Sequence, residues 1–211
     1  TRGSIELAQI AQEVGVDALS VLTPLFISPN QQQLIKHFTD VAASTDLPIL
    51  LYDNRPKTHV ALQPSSVVEL AKIRNIIGIK DSSGDMTNTA ECIRLTRDMD
   101  FDVMIGRDTL IHANLCYGGA GAVAACANVA PRICADIYDK YMAGDIKGSL
   151  EAQFRLAPLR IAFALGTFPT VIKEALELLG IEAGPCFEPV GPMSSDEKEQ
   201  LKKILKGMEL L

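Results

Sequence analysis

Hydrophobic and polar positions along this chain follow two rhythms, and each change of rhythm marks a new element. Helical spacing opens the chain in "SIELAQIAQEVG" (residues 4–15), where Ile5, Leu7, Ala8, Ile10, Ala11 and Val14 fall largely on one face and Gly15 ends the run. "DALSVLTP" then reads as a short apolar strand stopped by Pro24. "NQQQLIKHFTDVAAST" returns to helical spacing, with Asn30 as N-cap and Leu34, Ile35, Phe38 and Val41 facing inward. The alternation continues through strand "LPILLY", helix "QPSSVVELAKI" with Pro64 in its first turn, strand "NIIGIK", helix "DMTNTAECIRLTRD" and strand "FDVMIG". Helix "DTLIHANLCYGG" and a small-residue strand, "AGAVAAC", follow. Beyond Asn128 the pattern is helical, in "PRICADIYDKYMAG", "IKGSLEAQFRLAPLRIAFAL", "PTVIKEALELLG" and "SSDEKEQLKKILKGMEL".

The five strands are continuous apolar runs separated by helices. That pattern predicts an α/β fold with a parallel sheet covered on both faces. No low-complexity segment or linker divides the chain, which predicts a single structural unit.

Composition narrows the function. A formal charge of −6 over 211 residues argues against nonspecific nucleic-acid binding, which needs a basic footprint. No apolar run reaches the length of a membrane span and no signal-peptide pattern opens the chain, so no membrane partner is expected. The five cysteines (Cys92, Cys116, Cys126, Cys134, Cys186) form no CxxC pair and read as free thiols of a reducing compartment, the cytoplasm. With three dispersed histidines, no metal site is expected. Neither a GxGxxG nor a P-loop is present, which counts against a phosphate-binding barrel, and no cofactor is expected. The chain opens on Thr1, the start of a processed, cloned or incomplete polypeptide.

Parallel βα folds place their chemistry at the carboxyl ends of the strands. Here those ends carry Thr23, Tyr52, Lys80, Gly106 and the segment Val123–Ala125. A lysine alone at a strand end is most simply an ammonium reaching water, and a tyrosine alone a phenol packed with its hydroxyl satisfied. Together on neighbouring strands they can do more. Desolvation disfavours the ammonium, and a neutral amine can attack a ketone to form a Schiff base that serves as an electron sink. A nearby phenol can carry the protons that carbinolamine and aldol steps require.

In order and spacing, "LTPLF", "PILLYDNRP", "NIIGIKDSSGD", "MIGRDTL" and "GGAGAVAACANVAP" resemble the dihydrodipicolinate synthase/N-acetylneuraminate lyase family of class I aldolases, over essentially the whole chain. The resemblance implies a (β/α)8 TIM-barrel type lacking its first three βα units, with additional C-terminal helices. Residues 1–128 would supply strands 4–8, and residues 129–211 the last barrel helix and a helical extension, as one structural unit. It further implies that pyruvate or a related 2-keto acid binds as a Schiff base on Lys80, with Tyr52 as proton shuttle. Gly106 and Val123 would line the keto-acid pocket. Partners would be 2-keto acids, aldehydes and further copies of the chain, in a homodimer or homotetramer.

Three departures accompany the resemblance. The Gly-Thr-Thr loop that holds the keto-acid carboxylate belongs to the absent strands, and Thr23, on the strand-4 end, does not replace it. "PLF" stands where the synthases carry a tyrosine pair, so Phe26 brings no hydroxyl to an intersubunit relay. "YDNRPKT" alters the family's Tyr-Asn-x-Pro run and sets Lys57 in place of a carboxylate-binding arginine, a point charge instead of a bidentate fork. These differences favour a sugar-acid or other 2-keto-acid lyase over the lysine-biosynthesis synthase. The alternative function is a noncatalytic or incomplete member acting as a binding or assembly subunit.

The remaining polar residues carry two readings each. Arg55 is a carboxylate ligand or a solvated loop arginine. Arg107 and Asp108 contact a polyhydroxylated substrate tail or serve as charges at a helix N-terminus. His112, further along that helix, reads as structural, and "SSDEKEQLKK" as a solvated helix with a capping residue.

Overall fold

The computed structural model describes every residue from Thr1 to Leu211, and the chain divides into two compact units. The first comprises Thr1–Arg107 and Ala113–Val123, the second Asp108–His112 and Ala124–Leu211.

Helix α1 (Arg2–Val14) ends on Gly15 in the left-handed conformation, φ 79°, which a residue without a Cβ adopts at little cost. Strand β1 (Leu19–Leu22) leads to α2 (Gln31–Ala42), opened by a full capping box: Asn30 accepts from the Gln33 amide while Gln33 accepts from that of Asn30. Then come β2 (Ile49–Asp53), a short α3 (Arg55–Thr58), α4 (Pro64–Leu70), β3 (Ile76–Asp81), α5 (Met86–Thr96) and β4 (Asp102–Ile105). A single 3-10 turn, Asp108–Leu110, precedes α6 (Ile111–Cys116), and β5 (Gly121–Ala122) follows. The strands pair in parallel in the order β1-β2-β3-β4-β5.

Each strand matches its apolar run, with two corrections. The "AGAVAAC" run forms only the two-residue β5, and Ala125–Asn128 turns into a 3-10 helix. Small side chains give that segment little to pack, and the Cys126 amide donates to Asp108 Oδ1 at 2.7 Å instead of joining the ladder. Residues 55–58, for which the pattern predicts no element, form α3, a four-residue turn too short to show a period in the sequence.

One face of the sheet is dry. Ile49, Leu51 and Ile79 join Leu34, Phe38, Val41, Leu62, Val67 and Leu70 in a core with almost no exposed surface. The opposite face carries Leu50, Tyr52 and Lys80, each half-buried, so only one face is fully covered as expected. The α1 stripe also departs from its pattern. Ala8 is buried and Ile5 packs on the core, but Leu7, Ile10 and Val14 are 68%, 54% and 72% exposed.

The second unit is helical: α7 (Pro131–Met142), α8 (Ile146–Ala162), α9 (Thr170–Leu178) and α10 (Ser195–Gly207). Its buried residues include Ile137, Leu156, Leu159, Ala175, Leu201 and Leu205. No single helix of the chain is long and apolar enough to cross a membrane.

Candidate active site

Strands β2 and β3 run in register with Tyr52 directly opposite Lys80, and residues opposite each other project to the same face. Lys80 Nζ lies 4.1 Å from the centroid of the Tyr52 ring. Just past the end of β2, Asn54 donates from Nδ2 to Tyr52 Oη at 2.9 Å.

Strand β4 brings Gly106 to the same group, its amide donating to the Asp81 carbonyl at 2.7 Å. A Cβ at Gly106 would collide with Ser82 Oγ and lie 3.1 Å from Lys80 Cε. Glycine is required there for close approach, because the lysine stem and the serine occupy the space of a side chain. Ser82 Oγ is itself buried without a hydrogen-bond partner. Val123 continues the ladder through its amide, 3.0 Å from the Ile105 carbonyl, and is 42% exposed.

Thr23 is occupied elsewhere. Its hydroxyl is buried and donates to Thr58 Oγ1 at 3.0 Å, and Thr58 donates to the Val60 carbonyl at 3.1 Å, which ties β1 to the end of α3. Arg55 and Lys57 stand exposed on α3, and Arg55 shares the lining of a polar surface cavity of about 380 Å³ with Ser28, His59, Gln63 and Asn88. The Arg107 guanidinium lies over Gly84, its Nε 3.0 Å from where a Cβ would be, and Gly84 holds φ 81°.

Asp108 lies in the second unit, where its buried carboxylate meets the Arg160 Nε at 3.3 Å and accepts from the Cys126 amide. Those partners make it an anchor within that unit. His112 is likewise engaged, with Nδ1 2.8 Å from Ser149 Oγ and its ring edge-on to Tyr141.

On the dry face, immediately behind Tyr52 and Lys80, two carboxylates lie side by side in register, Asp53 and Asp81. Asp81 accepts from Thr89 Oγ1 at 2.6 Å and from the Ser83 amide at 2.8 Å. Asp53 accepts from the Leu62 amide at 3.0 Å through Oδ2, while Oδ1 has no partner. Burial, reinforced by the Asp81 charge, pushes the Asp53 carboxyl up to about 6. The same burial, with both carboxylates near, pushes the Cys92 thiol up to about 12 and keeps it protonated and inert.

Asn54, Ser82 and Asp53 are residues of this region that the sequence pattern does not single out. The available signal for the first two is their spacing: they stand two residues beyond Tyr52 and Lys80, just past the ends of the same strands. An amine beside a phenol on a half-buried face, with a glycine that lets the lysine stem pack close to the end of β4, can support nucleophilic attack on a carbonyl with proton transfer at hand.

Residues 1–208 match the model of the dihydrodipicolinate synthetase family. Among curated relatives, the 4-hydroxy-tetrahydrodipicolinate synthase of Methanothrix thermoacetophila is 39% identical over 99% of this chain and 70% of its own length. That of Archaeoglobus fulgidus is 36% identical over 100% of this chain and 73% of its own. Among solved structures, the dihydrodipicolinate synthase of Thermotoga maritima superposes with a TM-score of 0.95 at 30% identity, over 98% of this chain and 71% of its own. A prophage protein of E. coli K12 from the dihydrodipicolinic acid synthase family, determined in complex with pyruvate, gives 0.94 at 32% identity, over 100% and 72%.

Proposed function

The chain belongs to the dihydrodipicolinate synthetase family, whose synthases are lyases of aldolase type, and from that premise we propose that Lys80 forms a Schiff base with pyruvate. One observation carries the reading: Lys80 Nζ sits 4.1 Å from the Tyr52 ring at the carboxyl ends of adjacent parallel strands. The neutral amine adds to C2 of the keto acid. Tyr52 gives its proton to the carbinolamine oxygen, the C–O electron pair departs with it as water, and an iminium remains. The phenolate takes a proton from C3, which leaves an enamine whose carbon attacks an aldehyde. Run backward, the same steps cleave the C–C bond. Gly106 lets the Lys80 stem pass close to the β4 backbone, and Val123 lines the keto-acid pocket with it.

Arg55 and Lys57 on α3 suit an acceptor aldehyde that carries negative charge. Phe26 and Lys57 differ from the synthase pattern and favour an acceptor other than that of the lysine-biosynthesis enzyme, although the curated relatives carry synthase names. In the same reading the five parallel strands are strands 4–8 of a (β/α)8 barrel, and copies of the chain associate through apolar residues such as Leu25, Phe26 and Ile27, which are 64%, 90% and 72% exposed.

Borohydride reduction in the presence of pyruvate, followed by intact mass and peptide mapping, tests the proposal. One reduced adduct on Lys80, absent in Lys80→Ala, is expected. No adduct, or one that survives Lys80→Ala, overturns the Schiff-base reading and favours a binding or assembly role.

A further inference from the structure

Asn54 occupies the N-cap of α3, a position where an asparagine side chain ordinarily accepts a hydrogen bond from the first turn of the helix. Its side chain makes no such bond. Its amide is turned back along the strand and donates to Tyr52 Oη at 2.9 Å. The residue that would complete the helix start is committed to the phenol.

We propose that Asn54 is a positioning residue for proton transfer, acting through Tyr52. A phenol oxygen has one hydrogen to donate and accepts near the plane of its ring. With the Asn54 N–H on the accepting side, the Tyr52 hydrogen is directed to the other side and is free for a reacting oxygen. When Tyr52 releases that proton to the carbinolamine oxygen, the Asn54 N–H remains on a full negative charge, and a hydrogen bond to an ionised acceptor is the stronger kind. The phenolate then takes the C3 proton of the iminium, and Tyr52 and Asn54 return to their starting bond. This inference rests on the reading of Lys80 and Tyr52 given above.

The test follows exchange of the methyl protons of pyruvate for deuterium in D2O by NMR, which needs no second substrate. Four variants are compared with the parent: Asn54→Leu, Asn54→Asp, Tyr52→Phe, and Asn54→Leu combined with Tyr52→Phe. Asn54→Leu is expected to slow exchange about 10- to 100-fold, the scale of a misplaced catalytic group, with the apparent KM for pyruvate within about twofold of the parent. Asn54→Asp retains an N-capping side chain but presents only oxygens, so it keeps the helix start and is expected to slow exchange as well. In the Tyr52→Phe background, Asn54→Leu is expected to change nothing further, because its effect passes through the hydroxyl.

Full exchange in Asn54→Asp, or the same loss from Asn54→Leu with and without the hydroxyl, overturns the proposal and leaves Asn54 a structural residue. A slow Tyr52→Phe with unimpaired Asn54→Leu overturns this inference alone. Parental exchange in Tyr52→Phe overturns the proton-shuttle reading, and the inference falls with it.

Discussion

Asp53 is fully buried, lies beside Asp81, and has one oxygen with no partner, so ionising it is costly in the folded state. Replacing it by asparagine tests how costly. Burial acts first to raise the carboxyl from an ordinary 3.8 to about 6, and the Asp81 charge adds to it; the Leu62 amide and the Arg55 charge pull the other way. Because the folded value is the higher one, the folded chain keeps a proton between about pH 4 and 6 that the unfolded chain has released. The contribution of this carboxyl to stability is therefore fully present below about 4 and is lost as pH rises through about 6. The difference corresponds to about 3 kcal/mol at 1.36 kcal/mol per pH unit, a ceiling that water penetration and relaxation reduce.

An asparagine side chain carries no charge at any pH, so Asp53→Asn escapes that loss. The variant's own gains and losses are nearly independent of pH: one oxygen still serves the Leu62 amide, and a new N–H stands beside Asp81. The informative quantity is the stability of Asp53→Asn relative to the parent at pH 7.5, minus the same quantity at pH 4. Urea unfolding followed by circular dichroism supplies both. The expected value is about 1–3 kcal/mol in favour of the variant at the higher pH. A value under about 0.5 kcal/mol, or one of opposite sign, would refute the reasoning, because the carboxyl would then titrate in the fold much as it does in water.

Two further outcomes follow from the packing. Gly106→Ala is expected to abolish borohydride trapping of pyruvate on Lys80, because the new methyl meets Ser82 Oγ and Lys80 Cε, and Ser82→Gly in the same chain is expected to restore part of it; undiminished trapping in Gly106→Ala would show the space to be larger than the geometry allows. Ile10→Lys on α1 is expected to leave stability within about 0.5 kcal/mol of the parent, since the isoleucine is 54% exposed, and a larger loss in urea unfolding would mean that another surface covers that stripe in solution.

Strands β1 to β4 were legible because each is an apolar run with its own stop signal, and their order makes the strands of Tyr52 and Lys80 neighbours. The N-caps of α2 and α10 were legible for the same local reason, a few residues sufficing to make them, and the structure completes each into a capping box. What failed needed partners distant in sequence. The α1 stripe has the right period, but period reports only that a face is apolar, and nothing in residues 4–15 says that Leu7, Ile10 and Val14 lack a surface to bury against. The end of β5 failed because a carboxylate about eighteen residues earlier takes the Cys126 amide. Asn54 has the composition of a cap and does not stand out as a site residue, because cap and site compete for the same side chain.

The least legible feature fixes the site. Between Ile49 and Leu50 the β2–β3 pairing slips by one residue: Ile49 lies opposite Ile76, but Leu50 lies opposite Gly78, so Ile77 is passed over. Without the slip, Tyr52 would stand opposite Ile79 and Asp53 opposite Lys80. The amine would then face a carboxylate that holds it as a salt-bridged ammonium, and the phenol would face an isoleucine. A one-residue change of register exchanges the faces of a strand, so this irregularity in β3 sends Lys80 to the half-buried face beside Tyr52 and Asp81 to the dry face beside Asp53. Ile77 is 41% exposed, unlike Ile76 and Ile79, which are buried. Ile77 marks the slip and fills no core.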